Sequence, residues 1–279
     1  MRSSSAPDPA AGARSEPPRD EPRRALVTGG SRGLGLGVAM RLAEAGYRTT
    51  VAARTPEGLA EAVARAHEAG LELHPQQVDV TDEDSVRDLF ARVTADGPLH
   101  VCVNNAGANS SRLLVKPARG DRPLQRYPLA DWENTLRLCL TGVFLTGREA
   151  AAAMVEAGVP GVIVQISSAA RGGAYGQSGY SAAKSGVDAL TRTWALELAG
   201  HGIRVVGVAP GVISSEALHH HCERDPRHAE YMERLRERIP ARRWAEVREI
   251  ADAVLFAAEN SYLTGTTLEV DGGGLPDRV

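Results

Sequence analysis

The chain has 279 residues, a formal net charge of −3, and 43% hydrophobic and 24% charged residues. That is an ordinary soluble globular composition with enough chain to bury a core. It offers no basic footprint for nucleic acid and no run approaching the roughly 18 apolar residues of a membrane span. Three widely spaced cysteines, Cys102, Cys139 and Cys222, do not make a disulfide framework, so a cytoplasmic protein is expected.

The first 24 residues hold five prolines, five arginines and four acids. Such a segment cannot offset its ordering entropy, and residues 1–23 are read as a disordered tail. The tail lacks the apolar stretch of a secretory signal, and its acids argue against a mitochondrial transit peptide. From Ala25 onward, apolar or β-branched runs at 25–28, 49–52, 100–104, 161–167, 203–209 and 266–270 read as strands. Helical stretches at 34–46 and 56–70 each finish at a glycine. This alternation predicts βαβ units in a single α/β domain, with a parallel sheet covered on both faces. The stretch Asn109 to Pro128, rich in Pro, Gly and Arg, reads as a surface excursion.

Between the first strand and first helix lies Thr28-Gly29-Gly30-Ser31-Arg32-Gly33-Leu34-Gly35. Glycines there permit positive φ and let backbone N–H groups approach a pyrophosphate at a helix N-terminus. The spacing is not G-x-G-x-x-G, and a glycine-rich turn without a ligand has the same composition. The second strand ends Val51-Ala52-Ala53-Arg54, without the carboxylate that would bind the adenosine ribose of NAD. Arg54 and Arg32 could instead clamp the 2′-phosphate of NADP, although either could be an ordinary surface arginine. Asp79, after the third strand, is read either as an adenine contact or as a helix cap.

Only two of the 32 basic residues are lysines, Lys116 and Lys184. Lys184 lies four residues after Tyr180 at the start of a helical run, so both share one face. An ordinary tyrosine pKa is near 10; a cation about 4 Å away would supply about 4 kcal/mol and bring the phenol into a range useful for acid–base work. A surface pair of no consequence is the plain alternative. Upstream, the strand at 161–167 runs into Ser167 and Ser168, where strand C-termini of a parallel sheet face a ligand crevice. Either serine could bind a substrate carbonyl or cap a turn.

In order, TGGSRGLG (28–35), NNAG (104–107), ISS (166–168), YSAAK (180–184), APG (209–211) and TGTTLEVDGG (264–273) resemble the short-chain dehydrogenase/reductase family. The style is closest to bacterial 3-oxoacyl-thioester and polyketide-type ketoreductases. The resemblance spans roughly Arg24 to Gly274 and implies a doubly wound Rossmann-type parallel sheet of about seven strands. It implies NADP(H) contacts at Gly29, Ser31, Arg32, Gly33, Leu34, Gly35, Arg54, Asp79, Val80, Asn105, Ala106, Gly107, Pro210, Gly211, Ile213 and Ser215, besides Tyr180 and Lys184. Asn104 would steady the central strand. Tyr180 would be the general acid–base, Lys184 would hold the nicotinamide ribose and lower the phenol's pKa, and Ser168 would orient the carbonyl. The reaction implied is hydride exchange between the cofactor and a carbonyl or secondary alcohol, the substrate being free or carrier-tethered. A homodimer or homotetramer built through helices around 130–157 and 179–200 is also implied.

Two departures from the family pattern stand out. Cys139 occupies the position usually held by an Asn that supports a water next to the lysine. A thiol is a weak donor and acceptor, so slower proton supply is expected, unless Cys139 is simply a small buried residue. Ser168 lies 12 residues before Tyr180 where 13 is commoner, and Ser167 lies 13 before; Ser168 is placed in the site and Ser167 left as the alternative. The segment from about 214 to 243 reads as a polar substrate lid. Its run His219, His220, His221, Cys222 lacks metal-ligand spacing, so no metal is expected. The expected activity is ketone reduction; an NADP-binding regulatory or scaffold protein and an isomerase or dehydratase on the same fold are the alternatives.

Overall fold

The computed structural model describes residues 21–109, 111–120 and 122–274. Most of the expected tail and the last five residues lie outside them. Strands β1 (Arg24–Thr28), β2 (Arg48–Ala53), β3 (Leu73–Gln77) and β4 (Val101–Asn104) alternate with helices α1 (Gly33–Glu44), α2 (Pro56–Glu68) and α3 (Glu83–Thr94). A two-stranded antiparallel hairpin, β5 (Val115–Lys116) and β6 (Gln125–Arg126), stands apart from the main sheet. It falls within the expected surface excursion and is exposed. Helices α4 (Leu129–Leu136) and α5 (Gly142–Ala157) follow, then β7 (Gly161–Ile166), α6 (Ser178–Leu198), β8 (Ile203–Pro210), α7 (Glu216–Arg224), α8 (Pro226–Arg238), α9 (Val247–Glu259) and β9 (Thr267–Val270).

The main sheet has seven strands in the order β3-β2-β1-β4-β7-β8-β9, every pairing parallel. Strand alternation sends neighbouring side chains into opposite layers. Ala25 and Val27 of β1 join one core with Leu36, Leu42, Leu59 and Val254 of α1, α2 and α9. Leu26 between them joins the other, with Leu89 of α3, Met154 of α5 and Trp194 of α6. Burial of both faces explains why the inner strands are nearly continuous apolar runs. Together these features make a single, doubly wound Rossmann-type domain. The chain moves outward from β1 to β3, then returns to place β4 beside β1, which creates the switch point where ligands bind in such sheets.

One expectation needs correction. Residues Leu129–Glu156 form a continuous helical stretch of 28 residues, long and apolar enough by composition to cross a membrane. A helix around 130–157 was expected, but Arg148 and Glu149 break its apolar part, so no uninterrupted run of that length shows in the sequence. Its second half packs on β4, β7 and α3, as a core helix does. A π-helical turn, Arg137–Thr141, separates α4 from α5 and carries Cys139. Such insertions are rare and are often found at functional sites.

Two polar anchors fix the periphery. Arg204 of β8 donates to the carbonyls of Ala257, Ala258 and Leu263 at 2.8, 2.6 and 3.0 Å, and so satisfies the C-terminal end of α9. At the N-terminal ends of the central strands, away from the switch point, buried His100 accepts the Arg24 N–H through Nδ1 at 3.1 Å. Burial, then Arg23 and Arg24, hold its pKa below the ordinary histidine value. A depressed histidine pKa favours the native state when the ring is neutral. The contribution is therefore complete above about pH 6.5 and is lost as pH falls through the folded value. Replacing His100 with Gln should flatten the fall in urea midpoint between about pH 7 and pH 5; an unchanged slope contradicts this assignment.

Candidate active site

The loops after β1 and β4 are tied together at the switch point. Thr28 Oγ1 donates to the Val103 carbonyl at 3.3 Å and accepts the N–H groups of Asn105 and Ala106 at 3.1 and 3.2 Å. Asn105 Nδ2 donates back to the carbonyls of Thr28 and Gly29, at 2.9 and 3.2 Å. Gly29 and Gly33 sit at φ +66° and +54°, in the left-handed region that favours glycine. A Cβ on Gly35 would stand 2.2 Å from the Gly29 carbonyl oxygen, whereas one on Gly33 would meet nothing within 4 Å. The loop is thus tight on its inner side and open on its outer side, at the N-terminus of α1. This shape and polarity fit the phosphates of a dinucleotide.

Arg32 occupies the N-cap position of α1 and Arg54 follows the end of β2; both side chains are exposed. Arg54 and Asp79 line a second cleft, of about 570 Å³, with Gln76, Gln77 and Arg92. Asp79 accepts both the N–H and the hydroxyl of Thr81, at 2.9 and 2.8 Å, while Asp82 caps α3. Burial works to raise the pKa of Asp79, but the Thr81 bonds with Arg54 and Arg137 outweigh it and hold the carboxyl below its ordinary value. Val80 turns its side chain into the core, leaving only its backbone for a ligand.

Tyr180 lies in the first turn of α6, with Lys184 one turn later. Lys184 is buried and its Nζ donates to the Ile166 carbonyl at the end of β7, at 2.6 Å. The ammonium is 5.6 Å from the centre of the Tyr180 ring. It does not bring the phenol into the neutral range, as the spacing suggested. Burial pushes the Tyr180 phenol up to about 12, Cys139 adds to the rise, and the nearby Ser168 hydroxyl pulls the other way. The lysine is committed to a backbone carbonyl, and desolvation dominates. Burial likewise lowers the Lys184 pKa, against the pull of Cys139 and Asp188.

The two serines separate cleanly. Ser167 is buried and donates to Asp188 Oδ1 at 2.7 Å. Ser168 Oγ accepts the Ala170 N–H at 3.1 Å and interacts with the phenol. Cys139 Sγ donates to the Ala108 carbonyl at 3.4 Å. A Cβ on Gly107 would come within 3.6 Å of Cys139 Sγ and 3.8 Å of Lys184 Nζ, so this glycine lets the loop after β4 pass close to both.

A cleft of about 190 Å³ brings together Leu34, Asn105, Gly107, Ser168, Tyr180, Lys184, Pro210, Gly211 and Ile213. It also takes in Ser167, the alternative to Ser168, and Ala108, Asn109 and Ile166, which were not among the expected site residues. Asn109 begins the polar excursion and gave no signal separable from its loop character. Ser215 does not line this cleft; its hydroxyl accepts the Leu218 N–H at 3.3 Å, at the start of α7. The expected lid corresponds to α7, α8 and the following turn. Its base is held by Ser214 N–H to Ala245 O at 2.8 Å and Ala245 N–H to Val212 O at 2.9 Å. Among the described residues, no group of three side chains converges as a metal site.

A doubly wound sheet with a glycine cradle at its switch point is the architecture of a nucleotide-binding α/β protein. The family model described as short chain dehydrogenase matches residues 23–225, and the chain belongs to this oxidoreductase family. It is 34% identical over 254 residues to gluconate 5-dehydrogenase of Gluconobacter oxydans, covering 90% of this chain and 93% of that one. It is 36% identical over 256 residues to 3-oxoacyl-acyl-carrier-protein reductase of Staphylococcus aureus, covering 90% and 97%. A crystal structure of a variant actinorhodin polyketide ketoreductase with NADPH aligns at TM-score 0.79 and 32% identity, covering 90% and 97%.

In the free protein Tyr180 is expected to remain a neutral phenol. Phenolate absorbance compared between wild type and Tyr180→Phe should show no contribution from this residue at about pH 10, the ordinary tyrosine midpoint. Half-ionisation there would contradict the buried setting.

Proposed function

We propose that the protein is an NADP(H)-dependent carbonyl reductase in which Tyr180 is the proton donor. The observation that carries this reading is the grouping of Tyr180, Ser168 and Lys184 on one cleft wall, beside the loop that follows β4. NADPH, when bound, would supply the hydride that reaches the carbonyl carbon. Ser168 would hold the carbonyl oxygen, and Tyr180 would pass its hydroxyl proton to that oxygen as the alcohol forms. In the free protein the raised pKa keeps the phenol in its acid form, so that it holds the proton to be donated. Lys184 would hold the nicotinamide ribose. Gly29, Ser31, Gly33, Leu34 and Gly35 would hold the phosphates, with Arg32 and Arg54 on the 2′-phosphate. Asp79, Val80, Asn105, Ala106 and Gly107 would flank the adenosine side, and Pro210, Gly211, Ile213 and Ser215 the nicotinamide side.

The relatives act, by name, on gluconate and on 3-oxoacyl groups tethered to a carrier protein. A small polar carbonyl compound, free or carrier-tethered, is therefore the substrate class, with the segment 214–243 as its lid. Exposed Phe144 and Val155 on α5 and Leu196 on α6 support a homodimer or homotetramer built through these helices. A cytoplasmic setting agrees with the free thiols of all three cysteines. A second reading, an NADP-binding protein of slow turnover, rests on Cys139 and its engagement with the Ala108 carbonyl.

With NADPH and a panel holding a 3-oxoacyl thioester and a ketogluconate, Tyr180→Phe should lower kcat/KM by about 10²- to 10⁴-fold. Full activity in that variant contradicts the reading. Arg54→Ala should raise KM for NADPH about tenfold while leaving that for NADH unchanged, as expected for loss of one charge-assisted phosphate contact. Equal effects on both cofactors would remove Arg54 from the phosphate site. Cys139→Asn should raise kcat if the thiol limits proton supply; an unchanged rate makes Cys139 a packing residue.

A further inference from the structure

Helix α6 presents three chemically different groups at intervals of four residues: the phenol of Tyr180, the ammonium of Lys184 and the carboxylate of Asp188. The first two have places in the proposed reaction. Asp188 does not, yet its side chain is only 12% exposed, a setting that is costly for a carboxylate without partners. Its partners come from three other elements. Ser167 at the end of β7 donates to Oδ1 at 2.7 Å, and Thr267 of β9 donates to the same oxygen at 3.3 Å. Arg171 Nε meets Oδ2 at 2.6 Å.

Arg171 belongs to the short 3₁₀ turn Ala169–Gly172 that immediately follows Ser168. Its backbone N–H donates to the Ser168 carbonyl at 3.1 Å, and its guanidinium reaches the same carbonyl at 3.4 Å. Its own carbonyl accepts the Ser185 hydroxyl of α6, and its guanidinium also pairs with Glu269. The chain beyond it is rich in glycine, with Gly173 and Gly176 at φ +106° and +73°. Such a segment has little stiffness of its own. The tie from Arg171 to Asp188 therefore fixes the serine turn against the helix that carries Tyr180.

We propose that Arg171 and Asp188 are a positioning pair that sets the Ser168 hydroxyl against the Tyr180 phenol. The proposal rests on the reductase reading for its kinetic consequence and on the structure alone for its geometric one. Asp188 grips both serines, Ser167 directly at its hydroxyl and Ser168 through Arg171, whose guanidinium and backbone N–H both meet the Ser168 carbonyl. Breaking the tie leaves the turn held only by its backbone bonds and the Ser185 hydroxyl, and so loosens the neighbour of the phenol. Misplacement of a substrate-orienting group by about 1 Å costs up to 10²-fold in rate.

The experiment compares wild type, Arg171→Met, Arg171→Lys and Ser168→Ala, each also folded and checked by thermal denaturation. In NADPH-dependent reduction, Arg171→Met should lower kcat about tenfold with KM changed less than about twofold, and Arg171→Lys should recover most of the loss. In the Ser168→Ala background the same Met substitution should cost less than about twofold, because the group it positions is gone. The activity-independent arm is the ¹³Cζ resonance of labelled Tyr180, assigned with Tyr180→Phe. In Arg171→Met it should move at least halfway toward its position in Ser168→Ala. The proposal is overturned if Arg171→Met lowers thermal stability while kcat and the Tyr180 resonance stay at wild type. It is equally overturned if the kinetic loss persists undiminished without Ser168. Wild type that reduces no carbonyl would defeat the reductase reading, and the Tyr180 resonance alone would then decide the positioning pair.

Discussion

The arrangement depends on the hydrogen bond from the buried Lys184 ammonium to the Ile166 carbonyl, 2.6 Å long. It joins the helix that carries Tyr180 to the C-terminal end of β7, where the chain continues into Ser167 and Ser168. A buried cation is costly unless it is fully engaged. Lys184 meets that demand with a backbone carbonyl and with the nearby field of Asp188, which favours its charged form. The cost helps explain why the contact is specific: sliding α6 by one residue would leave an uncompensated charge in the core.

Around that contact the sheet supplies the rest of the site. Parallel order brings the ends of β1, β4, β7 and β8 to one rim, and the reversal between β1 and β4 opens the crevice. Thr28 and Asn105 join the two loops of that crevice through backbone atoms, so the glycine cradle is held from behind. Beneath it, Asn104 Nδ2 donates to Gln165 Oε1 at 3.0 Å and Thr146 Oγ1 donates to Asn104 Oδ1 at 2.7 Å. These bonds cross-link β4, β7 and α5 within the apolar layers. Such a network rigidifies a core because each unmade bond there is expensive.

Much of this was legible in the chain itself. Strand runs and glycine-terminated helices gave the layered architecture, and the motif series from Thr28 to Gly273 marked the cleft wall. What escaped were properties that arise only from burial and from backbone partners. Spacing placed Lys184 beside Tyr180, but it could not show that the ammonium binds the Ile166 carbonyl and that desolvation governs the phenol. Similarly, Ser167 and Ser168 are indistinguishable as letters; Asp188, twenty or more residues away, turns one of them toward the core. The helix through Cys139 was expected around 130–157, but the π-helical turn inside it was not, and Ser215 has a local backbone partner that no motif encodes.

The scarcity of lysine makes the central contact directly measurable. With ¹⁵N-labelled lysine side chains the protein gives two Nζ signals, one from exposed Lys116 and one from Lys184. The account predicts that the Lys184 signal shows slow proton exchange, a coupling across its hydrogen bond to the Ile166 carbonyl, and a titration midpoint below the ordinary lysine value. A Lys184 signal that exchanges rapidly and shows no coupling to the Ile166 carbonyl would mean that the ammonium is solvated, and the arrangement of Tyr180 and Lys184 described here would be wrong.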